Sequence, residues 1–175
     1  MNRRQFLKWS IGSSCASILA ISYPVFIERY LVQFNIYRIP VPRLPEEFNG
    51  IKLLHISDLH YGALVPFSFV EKLFQKIQTI DKDIIVCTGD YIHERNNTKQ
   101  INTIWPLLSN LVAPEGVFSV LGNHDHWGDT ERSLYWLEKS GQNAKSKAIA
   151  IERIGQILWV VGVVDLWEED IDIDE

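Results

Sequence analysis

The feature that most constrains this chain is a pattern that occurs three times: a short apolar run followed at once by a polar cluster. The three clusters are Asp58-Leu59-His60, Gly89-Asp90 and Gly122-Asn123-His124-Asp125. Short apolar runs bounded by turn residues are typical of buried strands. Strands that alternate with helices predict an α/β layered fold, in which ligands collect at the carboxyl ends of the strands. We therefore expect the three clusters to converge on one edge of a sheet.

Helical and hairpin patterns fill the sequence between and after these runs. The predicted elements are helices over about residues 68–80, 97–112 and 130–139, and a hairpin of residues 148–153 and 157–164. Ser68 and Glu71 form the spacing of a capping box at the start of the first helix. Pro106 is expected to disturb the second helix, and Asp129 or Thr130 to cap the third.

The N-terminus has the layout of an export signal, because a charged start is followed by an apolar stretch. Arg3-Arg4, followed by Phe6, Leu7 and Lys8, resembles a twin-arginine signal. We expect export by that route, with the chain anchored in the inner membrane and facing outward, or released to the periplasm or cell wall. The expected domains are a signal or anchor (1–30), an extended proline-rich lead-in (31–49), the N-terminal part of an α/β domain (50–167) and an acidic tail (168–175).

The residue types in the three clusters favour divalent metals. Carboxylate, imidazole and amide oxygen suit Mn²⁺, Fe or Zn²⁺ better than ions that prefer thiolates. A carboxylate such as Asp90 has two oxygens and can bridge two ions, and two ions about 3.5–4 Å apart can clamp a phosphate and activate a water. The net charge of −5 argues against a nucleic-acid partner.

The same residues carry a resemblance to a known family. His55 to His60, Thr88-Gly89-Asp90-Tyr91 and Leu121 to Asp125 are similar, in order and spacing, to the first three signatures of the calcineurin-like metallophosphoesterases. With the twin-arginine-like start, the chain most resembles the bacterial YaeI-type phosphodiesterase subgroup. The resemblance implies a β-sandwich of mixed sheets flanked by helices, and hydrolysis of a phosphoester.

The resemblance also implies a role for each matching residue. Asp58 and His60 would bind the first of two divalent metal ions, Asp90 would bridge both, and Asn123 would bind the second. A hydroxide bridging the ions would attack phosphorus. His124 would act as general acid or stabilise the transition state, and Asp125 would orient His124 from the second shell.

Several other residues have simpler expected roles. His55 is expected to be structural, and His93 and His126 to lie at the rim of the site. Trp127 and Trp167 are expected to be buried rather than to line a pocket.

The chain departs from the family pattern after the hairpin. The family requires three further metal-binding histidines, whereas no histidine follows His126. We therefore expect a C-terminally truncated domain. One hypothesis is a membrane-associated phosphodiesterase acting on a phosphodiester or on a lipid-linked or nucleotide-linked diphosphate. The alternatives are a catalytically impaired remnant, or a site completed by another chain.

Overall fold

The chain forms two compact units, Met1–Val41 and Pro42–Glu175, of which the computed structural model describes residues 2–168. In the first unit, α1 spans Arg3–Phe26, and the Asn2 side chain caps it by accepting a hydrogen bond from the Gln5 N–H. A 3-10 turn, Glu28–Tyr30, follows. Among residues 2–168, no helix combines the length and the apolar character needed to span a membrane. The predicted acidic tail falls almost entirely outside the described residues.

The centre of the second unit is a three-stranded parallel sheet. Its strands are β1 (Leu53–Ile56), β2 (Ile84–Cys87) and β3 (Val117–Ser119), in the order β1-β2-β3. Parallel strands need crossover connections, and here each crossover contains a helix. The predicted α/β architecture is confirmed.

Three helices cover one face of this sheet: α2 (Phe67–Gln78), α3 (Thr98–Leu108) and α4 (Asn123–Lys139). Alternate residues of β2 point to opposite faces, so Ile85 and Cys87 enter the core under the helices. The largest buried side chain there is Trp105, whose ring contacts Tyr91 edge to face at 5.2 Å between centroids.

A hairpin covers the other face of the sheet. Its strands are β4 (Lys147–Arg153) and β5 (Gln156–Gly162), which pair antiparallel. Ile151 packs there with Phe48 and with Ile84 of β2. Arg153 donates to Glu115 at 2.7 Å and lies 3.3 Å from Asp83, so one guanidinium ties the hairpin to the ends of β2 and β3.

The first residues and the caps of α2 and α4 differ from those predicted from the sequence. No side chain caps α2, which begins directly after Pro66, so the predicted Ser68 capping box is wrong. The fixed φ of Pro66 suits the entry to a helix without a cap. Helix α4 begins at Asn123, seven residues before the predicted start, and kinks at Asp129, whose backbone is extended. The Asp129 carboxylate accepts from the Arg132 N–H at 3.0 Å, so the predicted cap exists at the kink.

The loops that follow β2 and β3 touch through their backbones. A Cβ on Gly89 would lie 2.1 Å from the Gly122 nitrogen, and Gly89 has a φ of +90°. A Cβ on Gly122 would lie 2.3 Å from Asp90 Oδ1. Glycine is required at both positions because any side chain would force the two loops apart.

We predict that Gly89→Ala destabilises the protein more than Gly141→Ala does. Gly141 also has a positive φ, +72°, but open space surrounds it. Both variants incur the left-handed backbone cost of about 1–2 kcal/mol, and Gly89→Ala adds a clash worth about 1–3 kcal/mol. Urea unfolding followed by circular dichroism measures the difference. Equal midpoints for the two variants would contradict the close approach of the loops.

Candidate metal centre

The polar clusters meet because backbone pairing continues past the ends of β1 and β2. The Asp58 N–H donates to the Gly89 carbonyl at 3.2 Å, and the His60 N–H donates to the Asp90 carbonyl at 3.0 Å. These bonds hold the loop after β1 against the loop after β2. The predicted convergence on one edge of the sheet is therefore what the structure shows.

The loops turn sharply at the candidate ligands themselves. Asp58, His60 and Asp90 have φ values of +55°, +44° and +56°. Such angles are uncommon for residues with a side chain, and they cluster at functional sites where the surrounding structure enforces them. The strained backbone aims all three side chains at one point.

Three ligand atoms face one another there. His60 Nε2 lies 3.5 Å from Asp58 Oδ1 and 3.8 Å from Asp90 Oδ2, and the ligand atoms of the three residues lie within 4.8 Å of one another. These separations are too long for good hydrogen bonds. They are close to the spacing of roughly 3 to 3.5 Å between atoms that share an ion at about 2.1 Å. Two carboxylates and an imidazole therefore fit a divalent cation.

Asn123 and His124 join this group from the first turn of α4. Together with His60 and Asp90, they line an open pocket of about 580 Å³. The His124 N–H donates to Asp90 Oδ1 at 3.0 Å, while Asp90 Oδ2 faces His60. Asp90 thus contacts both the loop after β1 and the start of α4. The five residues predicted to bind metal or to act in catalysis lie around this pocket or, in the case of Asp58, beside it.

Asp125 does not have the predicted role. Its carboxylate is fully buried and accepts three backbone N–H bonds, from Asp90 at 2.8 Å, Tyr91 at 3.0 Å and Gly122 at 3.0 Å. His124 instead directs Nδ1 to the His93 carbonyl at 2.9 Å. The prediction that Asp125 orients the His124 ring is wrong, because the first turn of α4 points Asp125 into the core and His124 into the pocket.

Sequence reasoning missed His93. Its exposed ring lies 5.6 Å from that of His60 and 5.7 Å from that of His124 between centroids, so a residue expected only at the rim also brings a third imidazole to the candidate ligands. The sequence signal that could have indicated this position is that His93 follows the candidate ligand Asp90 by three residues on the same loop. His126, also expected at the rim, is buried in α4.

Two tryptophans also differ from expectation. Trp167 was expected to be buried, but it lines the pocket and is 80% exposed. Trp127 is half-buried, with its ring 4.8 Å from that of His124. Its Nε1 donates to Glu168 at 2.6 Å, which holds the segment after β5 beside the site. Arg95 stacks on the Trp127 ring at 3.9 Å.

We predict a pH-dependent stability that depends on Asp125. Burial raises the pKa of Asp125 to about 7, although the N–H bonds from Gly122, Tyr91 and Asp90 oppose this shift. Because the pKa is higher in the folded state than the ordinary value near 4, the contribution of Asp125 is fully present below about pH 4. It is lost as the pH rises through about 7.

The measurement compares metal-free wild type with Asp125→Asn, which does not titrate, by urea unfolding from pH 4 to pH 8. The free energy of unfolding of the wild type should fall relative to the variant, by up to about 1.4 kcal/mol per pH unit between those two pKa values. A constant difference across this range would contradict the raised pKa.

Known proteins share this sequence pattern. The chain is 31% identical over 132 residues to an uncharacterized metallophosphoesterase, YkuE, of Bacillus subtilis, covering 73% of this chain and 46% of that protein. It is 32% identical over 139 residues to an uncharacterized metallophosphoesterase of Aquifex aeolicus, covering 79% and 51%. It is 35% identical over 96 residues to the UDP-2,3-diacylglucosamine pyrophosphatase LpxG of Chlamydia muridarum, covering 53% and 29%. The chain thus spans about half the length, or less, of these curated relatives.

The profile of the calcineurin-like phosphoesterase family matches residues 51–171. That range contains β1 to β5 and every residue of the candidate metal centre. On the match and on the geometry of the site, this chain belongs to the calcineurin-like phosphoesterase family, whose members are hydrolases of phosphoric ester bonds.

Proposed function

We propose that this chain is a metal-dependent phosphoester hydrolase of the phosphodiesterase type, whose active site uses two divalent ions. The observation that carries the proposal is the convergence of Asp58 Oδ1, His60 Nε2 and Asp90 Oδ2, with Asn123 and His124 in the same pocket. Two ions, of Mn, Fe or Zn, would neutralise phosphate charge and activate a bridging hydroxide for attack on phosphorus.

Each residue of the site has a separate role in this proposal. Asp58, His60 and Asp90 would hold the first ion, and Asp90 and Asn123 would contribute to holding the second. His124 faces the scissile group, and the His93 carbonyl fixes its ring because His124 Nδ1 donates to it. When the ring carries a second proton, the outward Nε2–H can donate that proton to the leaving oxygen, or a hydrogen bond to the charged transition state.

We predict that Asp90→Ala abolishes hydrolysis of bis(p-nitrophenyl) phosphate by the full chain with added Mn²⁺. The loss should exceed about 100-fold, because Asp90 is the shared ligand of both ions. The matched control is Asp81→Asn, which removes a carboxylate from an exposed ion pair with Lys52 and should leave the rate unchanged.

Metal content of the same samples should be close to two ions per chain in wild type and lower in Asp90→Ala. Metal binding without turnover above the Asp90→Ala background would overturn the enzymatic proposal and favour a metal-binding domain without catalysis.

We further propose that the substrate is a lipid-linked or nucleotide-linked diphosphate. Besides the metal-binding residues, the pocket is lined by residues 163–167, a stretch that contains Asp165 and the apolar Val163, Leu166 and Trp167. These three side chains are exposed and apolar. A phosphate beside a solvent-open apolar wall suits an amphipathic substrate. The name of the chlamydial relative, a diacylglucosamine pyrophosphatase, supports the same class.

We predict that Trp167→Ala raises the KM for a UDP-linked diacyl sugar by about tenfold while leaving hydrolysis of the small phosphodiester unchanged. Loss of the aromatic wall removes apolar contact that only the larger substrate makes. Trp159→Ala is the control, since Trp159 is similarly exposed but lies on the hairpin, away from the pocket. An equal effect of both variants on KM would contradict the apolar wall.

For localisation, we propose export by a twin-arginine-like route, with the protein held at the outer side of the inner membrane or released beyond it. The paired Arg3-Arg4 and the exposed apolar side chains of α1, including Leu7, Trp9 and Ile11, support this proposal. Replacing both arginines with lysine should retain a fused folded reporter in the cytoplasm. Unchanged export of the reporter would argue against this route.

A further inference from the structure

The position of His93 is fixed by the same backbone pairing that builds the centre. Its N–H donates to the Tyr61 carbonyl at 3.0 Å, and the Tyr61 N–H donates to the Tyr91 carbonyl at 3.0 Å. These bonds extend the parallel pairing of β1 and β2 past the strand ends. Because His60 and His93 flank this extension on neighbouring segments, their rings are held at the same end of the sheet.

The His93 ring completes a group of three imidazoles. The His60 and His124 rings meet edge to face at 4.6 Å between centroids, and His93 stacks on His124 at 5.7 Å. One ring nitrogen from each of the three histidines lies within 4.8 Å of the others. Small rotations of the exposed His93 side chain would bring the three nitrogens around one ion.

The hydrogen bonds of these rings leave nitrogens available for a metal. His124 donates Nδ1–H to the His93 carbonyl, so in the neutral ring Nε2 carries the free lone pair. Donation of the other ring N–H to a carbonyl is the usual support of a metal-bound histidine. The His93 side chain is exposed, and within residues 2–168 the buried Nδ1 of His60 has no hydrogen-bond partner. The group therefore has unused ligand capacity.

We propose that His60, His93 and His124 form a second, all-imidazole metal site that takes Zn²⁺ in preference to Mn²⁺. Three neutral imidazoles favour Zn²⁺, whereas the oxygen-rich group of Asp58, His60 and Asp90 suits Mn²⁺. His60 belongs to both groups, so Zn²⁺ bound through His60 Nε2 would compete with Mn²⁺ for that nitrogen. Zn²⁺ at the imidazole site would also occupy His124, and it would inhibit hydrolysis supported by Mn²⁺.

The test is calorimetric titration of the metal-free full chain with Zn²⁺ and, separately, with Mn²⁺. His93→Phe keeps a flat ring to stack on His124 but offers no nitrogen. It should weaken Zn²⁺ binding about tenfold or more and change the Mn²⁺ affinity less than about twofold. Asp58→Asn should have the opposite effect, weakening Mn²⁺ binding more than Zn²⁺ binding. Co²⁺, used as a spectroscopic probe, should show tetrahedral absorption bands in wild type that His93→Phe loses.

The matched control is His55→Ala. His55 is also exposed, but its Nε2 contacts the Thr88 hydroxyl at 2.8 Å, away from the three-ring group. The His55→Ala variant should therefore bind Zn²⁺ and Mn²⁺ with the affinities of the wild type. Zn²⁺ affinity in His93→Phe equal to that of wild type, with circular dichroism showing a folded chain, would overturn the imidazole site. That result would leave the carboxylate centre intact, because the Asp90→Ala experiment tests the proposed hydrolysis separately.

Discussion

The buried carboxylate of Asp125 is the interaction on which the rest of the site depends. It accepts N–H bonds from Asp90, Tyr91 and Gly122, so one side chain fixes the loop after β2 to the start of α4. Burial without these partners would cost several kcal/mol. With them, the carboxylate holds two loops whose glycines leave no room for side chains between them.

This fixed junction accounts for the strained backbone at the site. Asp58, His60 and Asp90 all adopt left-handed angles, at a cost of roughly 1–3 kcal/mol each. The cost is tolerated because the loop after β1 hydrogen-bonds to the loop after β2, which Asp125 in turn anchors. Ligands held in this way need little reorganisation on binding an ion. Tyr91, which belongs to the loop after β2, also packs with Trp105 in the hydrophobic core, and this packing further fixes that loop.

The same geometry accounts for the chemical character of the pocket. The pocket combines Asp90, Asn123 and two imidazoles with an exposed stretch, residues 163–167, that is mostly apolar. Carboxylates favour hard cations and imidazoles favour borderline ones. In the proposed two-site arrangement, the metal that is bound therefore depends on whether His60 acts with the two carboxylates or with the other two histidines. The segment after β5 forms the apolar wall because Glu168 accepts from the Trp127 indole and so holds it near His124.

The sequence by itself determined the strands, the approximate places of the helices and the edge at which Asp58, His60, Asp90, Asn123 and His124 meet. These follow from local periodicity and from the rule that parallel strands present their carboxyl ends together. Only the tertiary structure decided the roles of Asp125 and His93. Asp125 follows His124 in the chain, but a helix turns successive side chains by about 100°, so one enters the core and the other the pocket. His93 reaches the site through pairing between loops, and such pairing depends on contacts distant in sequence.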